Sequence, residues 1–248
     1  MVALVVRQML VPKSRKFPST FPIETVAMAV DEMSWNKCFV HKVNGCRTLK
    51  LLVGNMLENL NKYKVILASN SPRRKELLSG LGIAYEVKTL PDIDESFPEG
   101  MDGVEIPAYI ARAKANAYRG MMAPDELIIT ADTIVWLDGE VMGKPNDAAD
   151  ARRMLRALSG QTHQVITGVC LTTKEFQKSF ATVTDVTFCH LSDEEIDYYV
   201  AHYRPMDKAG SYGIQEWIGF VGVESISGSY FNVMGLPIQR LYTELKKL

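Results

Sequence analysis

No apolar run in this 248-residue chain approaches the roughly 20 residues that a membrane-spanning helix needs. Cysteine is scarce: Cys38, Cys46, Cys170 and Cys189 are widely separated, with no C-x-x-C pair and no histidine at matching spacing. That excludes a zinc module and a disulfide framework, and reduced thiols in a cytoplasmic protein are the expectation. A basic surplus is missing too, with 28 Lys/Arg against 29 Asp/Glu. There is no G-x-G-x-x-G and no G-x-S-x-G. GEVMGKP fails as a P-loop, because only three residues separate Gly139 from Gly143 and Pro145 stands where Ser or Thr is needed. DIDESF fails as a calcium loop, because Phe97 replaces the turn glycine.

What charge there is lies unevenly. Residues 1–55 hold eight Lys/Arg and three Asp/Glu, leaving 20 basic and 26 acidic residues and a net charge of −6 from residue 56 onward. A nucleic-acid surface needs the opposite sign, so a nucleic-acid partner is not expected. The cluster Arg73-Arg74-Lys75 stands against this acidic background and suits a small local anion. Its position is odd. Ser71-Pro72 reads as an N-cap and first helical residue, and that end of a helix favours acidic side chains.

Residues 1–62 lack sustained periodicity and read as an unstructured or non-native extension. Two readings of it stand: a transit peptide, since the first acidic residue is Glu24, or an upstream segment included by too early a start, with Met56 the true one. From Tyr63 strand and helix signals alternate without a linker, which predicts a single α/β domain over 63–248. YKVILAS is a buried strand, feeding a helix with Leu77, Leu78 and Leu81 on one side. IAYEVKTL is a strand and PDIDESFPEGMDG a loop. EIPAYIARAKANAYRGMM is an amphipathic helix with Ile106, Ile110, Ala113 and Ala117 on one face. LIITADTIVWL and EVMGKP flank Asp138-Gly139 as a hairpin. NDAADARRMLRALSG is a capped helix, HQVITGVCLTT and KSFATVTDVTFCHL are strands, and Ser192 with Glu195 opens a further helix by a capping box. MDKAGSYGIQEW is a loop, GFVGVESI a strand and PIQRLYTELKKL the last helix. His163 and His190 fall in predicted strands, where a packed or solvent-facing role outweighs a ligand role.

Asp132 interrupts the apolar LIITADTIVWL, and a buried carboxylate needs a partner, hydrogen bonds or a metal. It either caps local N–H groups at a bulge or does chemistry. Lys144 is either a solvated turn lysine or is folded back beside Asp132 by the hairpin. Asp92, Asp94 and Glu95 form an acidic loop. Together these residues have a logic: cations at a helix start take phosphate oxygens, while carboxylates hold a divalent metal or accept a proton from water. Gly213 would let backbone approach a ligand, and Gln215 could read the edge of a base.

ASNSPRRKELL, ARAKA, ADTIVWLDGEVMGKP, LSGQTHQVITGV, DKAGSYGIQ and GSYFNVMGLP resemble, in order, the motifs of the Maf family of nucleotide pyrophosphatases, across 63–248. The resemblance implies an α/β fold with a long twisted mixed sheet flanked by helices, two lobes and a central cleft. It implies hydrolysis of a nucleoside triphosphate to monophosphate and pyrophosphate with Mg²⁺ or Mn²⁺, in a homodimer. Carried over by motif, Asp132 is the catalytic carboxylate, Asp94 and Asp132 hold the metal, and Ser69, Arg73, Arg74, Lys114 and Lys144 bind the triphosphate. Arg73, Thr133 and Gln215 match the specificity positions of the dTTP/UTP branch. A nucleotide-binding regulator of septum formation is the alternative that the family name suggests.

Overall fold

The computed structural model describes residues 57–248. The extension up to Met56, with both of its readings, lies outside the described residues. The expected boundary at residue 62 moves earlier, because a short 3-10 turn at Glu58–Lys62 already belongs to the core. Leu57 and Leu60 are buried there, and Asn59 donates to the main-chain oxygen of Leu245 at 2.7 Å.

Seven strands form one mixed sheet in the order β2-β1-β3-β5-β6-β7, with β4 also paired to β3. They are β1 (Lys64–Leu67), β2 (Glu86–Val87), β3 (Glu126–Leu137), β4 (Glu140–Met142), β5 (Thr162–Thr172), β6 (Gln177–Phe188) and β7 (Val223–Ser227). β1 runs parallel to β2 and β3, and the remaining pairings are antiparallel. The helices are α1 (Pro72–Ser79), α2 (Ile106–Tyr118), α3 (Ala148–Leu158), α4 (Asp193–Tyr203), α5 (Trp217–Gly222), α6 (Tyr230–Val233) and α7 (Ile238–Leu245). Among the described residues no helix is long and apolar enough to cross a membrane.

The central strand explains where a site can form. One edge of β3 is covered continuously by β5, from Ile128 to Trp136. Its other edge is shared. β1 pairs with residues 126–129 and β4 with residues 135–137, leaving residues 130–134 without a strand partner on that side. β4 returns through a tight turn in which Asp138 and Gly139 both have positive φ (50° and 88°), as a two-residue hairpin requires. Asp132 and Thr133 lie in the open stretch. Two hydrophobic clusters flank it. One gathers β1, α1 and α7 around Leu67, Leu78 and Leu241; the other gathers α3, α4 and α5 around Leu155, Tyr199 and Ile218.

α2 crosses the sheet at unusually close range. A Cβ on Gly168, the β5 partner of Asp132, would lie 2.1 Å from the Pro107 carbonyl carbon and 2.2 Å from the Ala108 nitrogen. Only glycine fits there. Thr130 Oγ1 donates to the Ala111 carbonyl at 2.6 Å and fixes the same helix against β3. The buried face of α2 is Ile106, Ile110, Ala111, Ala115 and Tyr118, so the expected Ala113 and Ala117 are displaced from it toward the surface. Two further expectations change. IAYEVKTL pairs over only two residues, and GFVGVESI divides into the end of α5 and β7, because Ile218 packs into the core on a helical turn.

Candidate active site

A cleft of about 760 Å³ opens along the unpartnered stretch of β3. Its walls include Ser69, Arg73, Arg74, Lys114, Asp132, Thr133, Lys144 and Gln215, all of which the sequence had placed in a site. Asp94 does not join them. Its carboxylate turns back to accept from the Ser96 N–H at 2.9 Å, a hydrogen bond that holds its carboxyl below the usual range. The neighbouring Glu95 takes the place instead, lining the cleft and pairing with Lys114 at 3.0 Å. An offset of one residue is enough to turn a loop side chain to the other side.

Asp132 and Lys114 form the centre. Lys114 Nζ lies 2.8 Å from Asp132 Oδ1, with side-chain exposures of 14% and 13%. The close seat of α2 on Gly168 brings Lys114 to this point, one turn beyond Ile110. Two charges so nearly buried are tolerated because each satisfies the other. Lys114 engages only Oδ1 of Asp132.

The arginines at the start of α1 have different surroundings. Ser71 caps the helix, its Oγ accepting from the Arg74 N–H at 3.4 Å, and its own N–H donates to Ser69 Oγ at 3.2 Å. The Arg74 guanidinium is bound within the protein. It donates to the carbonyls of Gly235 (2.8 Å) and Ala131 (3.0 Å) and to Thr133 Oγ1 (3.0 Å). The Ala131 carbonyl belongs to the open stretch of β3, so the arginine supplies a donor to a strand edge that no neighbouring strand covers. Burial draws the Arg74 pKa downward, with Asp132 pulling against it. Arg73 instead reaches across to Asp207 at 3.1 Å. Acceptors from the rest of the fold thus replace the acidic side chains that a helix start normally prefers.

Sequence reasoning missed Lys208. It is only 7% exposed and bridges Asp207 (2.8 Å) and Glu216 (3.1 Å). Tyr199 donates to Glu216 and accepts from the Gly213 N–H at 3.0 Å. Burial, reinforced by Glu216, pushes the Tyr199 phenol well above its ordinary pKa. Asp207 resists its own desolvation, and contacts with Lys208 and Arg73 lower its pKa. This network shapes the loop that presents Gln215, whose amide oxygen is buried without a protein partner. The signal lay within MDKAGSYGIQEW, but loop contacts follow no period.

His163 proves structural. It is 1% exposed, hydrogen-bonded to the Tyr212 hydroxyl at 2.8 Å and edge-on to Phe188. Burial lowers its pKa to about 4. Lys144 stays exposed on the rim, where the hairpin carries it to the same cleft as Asp132.

The family model for Maf, a Maf-like protein, matches residues 64–248. A dTTP/UTP pyrophosphatase of Phocaeicola vulgatus is 76% identical over 193 residues, covering 78% of this chain and 100% of that protein. A dTTP/UTP pyrophosphatase of Bacteroides fragilis is 70% identical over the same shares of the two chains. Among solved structures, a HAM1 protein from Coxiella burnetii covers 75% of this chain and 100% of its own, with 17% identity and a TM-score of 0.43.

Proposed function

This chain belongs to the Maf family, and from that premise we propose that it is a nucleoside triphosphate pyrophosphatase that cleaves dTTP and UTP to the monophosphate and pyrophosphate. The observation that carries the reading is the Lys114–Asp132 pair, set in the open stretch of β3 and facing the cation-bearing start of α1 across one cleft. The relatives named above supply the substrate class.

In this reading the triphosphate lies between Arg73, Lys114 and Lys144, with Ser69 and the start of α1 beside it. Arg74 acts first as an anchor of that helix, keeping its remaining N–H groups toward the substrate. Asp132 Oδ2 accepts the proton of a water that attacks the α-phosphorus, while Lys114 holds Oδ1 and fixes the carboxylate's direction. The bond from the α-phosphorus to the bridging oxygen breaks, and its electron pair leaves with pyrophosphate. The cations offset the charge that grows on the phosphate oxygens.

A divalent metal fits the donor set. Asp132 and Glu95 are hard oxygen donors that share Lys114, and Mg²⁺ is characteristically held by one or two carboxylates plus substrate phosphates. Among the described residues there is no cluster of three or more His, Cys, Asp or Glu suited to a metal, which leaves such a shared arrangement. The bound cation would neutralise phosphate charge. Glu95, not Asp94, is the second carboxylate proposed for it. Thr133 and Gln215 are assigned to the pyrimidine, and a cytoplasmic homodimer completes the proposal.

Turnover of UTP, dTTP, CTP and GTP with Mg²⁺, followed by resolution of monophosphate and pyrophosphate, tests it. Preferred release of pyrophosphate from UTP and dTTP is expected. No turnover of any of the four would overturn the enzyme reading.

A further inference from the structure

Thr133 is one of the residues that line the cleft, and its hydrogen bonds decide where its hydroxyl proton points. The main-chain oxygen of Asn232 can only accept, and the buried Thr167 hydroxyl donates its single proton there at 3.0 Å. Thr167 therefore meets Thr133, 2.9 Å away, with lone pairs alone, so that Thr133 is the donor of that contact. From the other side Arg74 Nη2 donates into Thr133 at 3.0 Å. A hydroxyl has one proton and two lone pairs. Thr133 is left with one lone pair for the cleft and no proton.

Neither end of this chain of hydrogen bonds can readily turn round. Asn232 is fully buried, and its side-chain amide donates to the Val165 carbonyl (2.9 Å) and to Thr184 Oγ1 (3.0 Å). Arg74 has no acceptor atom, and the carbonyls of Gly235 and Ala131 fix its plane.

We propose that Thr167 is a positioning residue for base selection: together with Arg74 and the Asn232 carbonyl it makes Thr133 an acceptor only, so the cleft selects a pyrimidine that offers a ring N–H at this point. The inference rests on the assignment of Thr133 to the base. On the pairing edge of uracil or thymine only N3–H donates, whereas O2 and O4 accept. Cytosine offers a bare N3, and two lone pairs then face each other. An unmatched buried polar contact of this kind discriminates on the order of 10- to 100-fold.

The test is kcat/KM for UTP and CTP with the full chain, Thr133→Val, Thr167→Val and Thr167→Ser. Thr133→Val should lose most of the preference for UTP. Thr167→Val removes the acceptor that holds the Thr133 proton, and the UTP:CTP ratio should fall about tenfold, through KM, with kcat for UTP within about threefold of wild type. Thr167→Ser keeps both the proton and the lone pairs and should restore the wild-type ratio. An unchanged ratio in a folded Thr167→Val protein, with Thr133→Val altered, overturns this inference alone. An unchanged ratio in Thr133→Val overturns the assignment of Thr133 to the base as well. Should Thr167→Val not fold, wild-type protein with N3-methyl-UTP decides: a kcat/KM at least about tenfold below that of UTP is expected, and equal turnover overturns the proposal.

Discussion

Replacing Arg74 by lysine asks whether the two arginines at the start of α1 have different work. The Arg74 guanidinium makes three hydrogen bonds within the protein, at 2.8, 3.0 and 3.0 Å, to groups on β3 and on the loop before α7. A lysine ammonium is a point donor at the end of a differently shaped chain and can keep about one of them. Hydrogen bonds to charged groups contribute about 1.5–3 kcal/mol each, so two losses come to about 3–6 kcal/mol. The lower end applies here, because carbonyls at a cleft wall regain water. For a domain of this size about 3 kcal/mol corresponds to a Tm lower by about 6–12 °C. Arg73→Ala breaks a single pair with the largely exposed Asp207, and such pairs are worth about 0–1 kcal/mol. It should leave Tm within about 4 °C while raising KM for the triphosphate. Thermal melts of both variants without nucleotide, followed by steady-state kinetics, measure the contrast. Equal melting losses, or an Arg74→Lys Tm within about 2 °C of wild type, would refute the division into anchor and free hand.

Asp132→Asn should lower kcat by about 10²- to 10⁴-fold, the usual contribution of a positioned proton acceptor, with the circular dichroism spectrum unchanged. A variant with near-normal kcat would remove Asp132 from that role. His163 gives stability a pH slope. Its pKa is about 4 in the fold and near 6.5 unfolded, so the unfolded chain binds the extra proton between these values. Stability is then full above about pH 6.5 and falls as pH drops toward 4, by up to about 3 kcal/mol. Urea titrations of His163→Gln should show a flatter slope in this window, and an equal slope would reassign the effect. A chain trimmed to residues 56–248 keeps Leu57, Leu60 and every cleft residue, and should match the full chain in Tm and kcat. A large loss of either would give the first 55 residues a part in the enzyme.

Much of the cleft was legible because its residues break local patterns. Asp132 interrupts an apolar strand, and Arg73 and Arg74 crowd a helix start, so each asked for a partner that local structure does not supply. The α/β alternation was legible from periodicity for the same reason that it folds: β3 and β5 bury nearly every side chain, and α3 buries Ala151, Met154, Leu155 and Leu158 at helical spacing. What escaped depends on tertiary contact. Nothing local distinguishes Asp94 from Glu95, and only the position of Lys114 on α2 selects the second. Lys208 looks like any loop lysine until Glu216 and Tyr199 close around it. The α5–β7 junction misled because an apolar run of that length suits a strand and a helical turn equally, and packing of Ile218 against the second core decides.

The most direct measurement of the account is the fate of oxygen from water. With UTP turned over in oxygen-18 water and the products separated by mass spectrometry, attack at the α-phosphorus predicts one heavy oxygen in UMP and unlabelled pyrophosphate. Label in pyrophosphate, or release of inorganic phosphate in place of pyrophosphate, would contradict it.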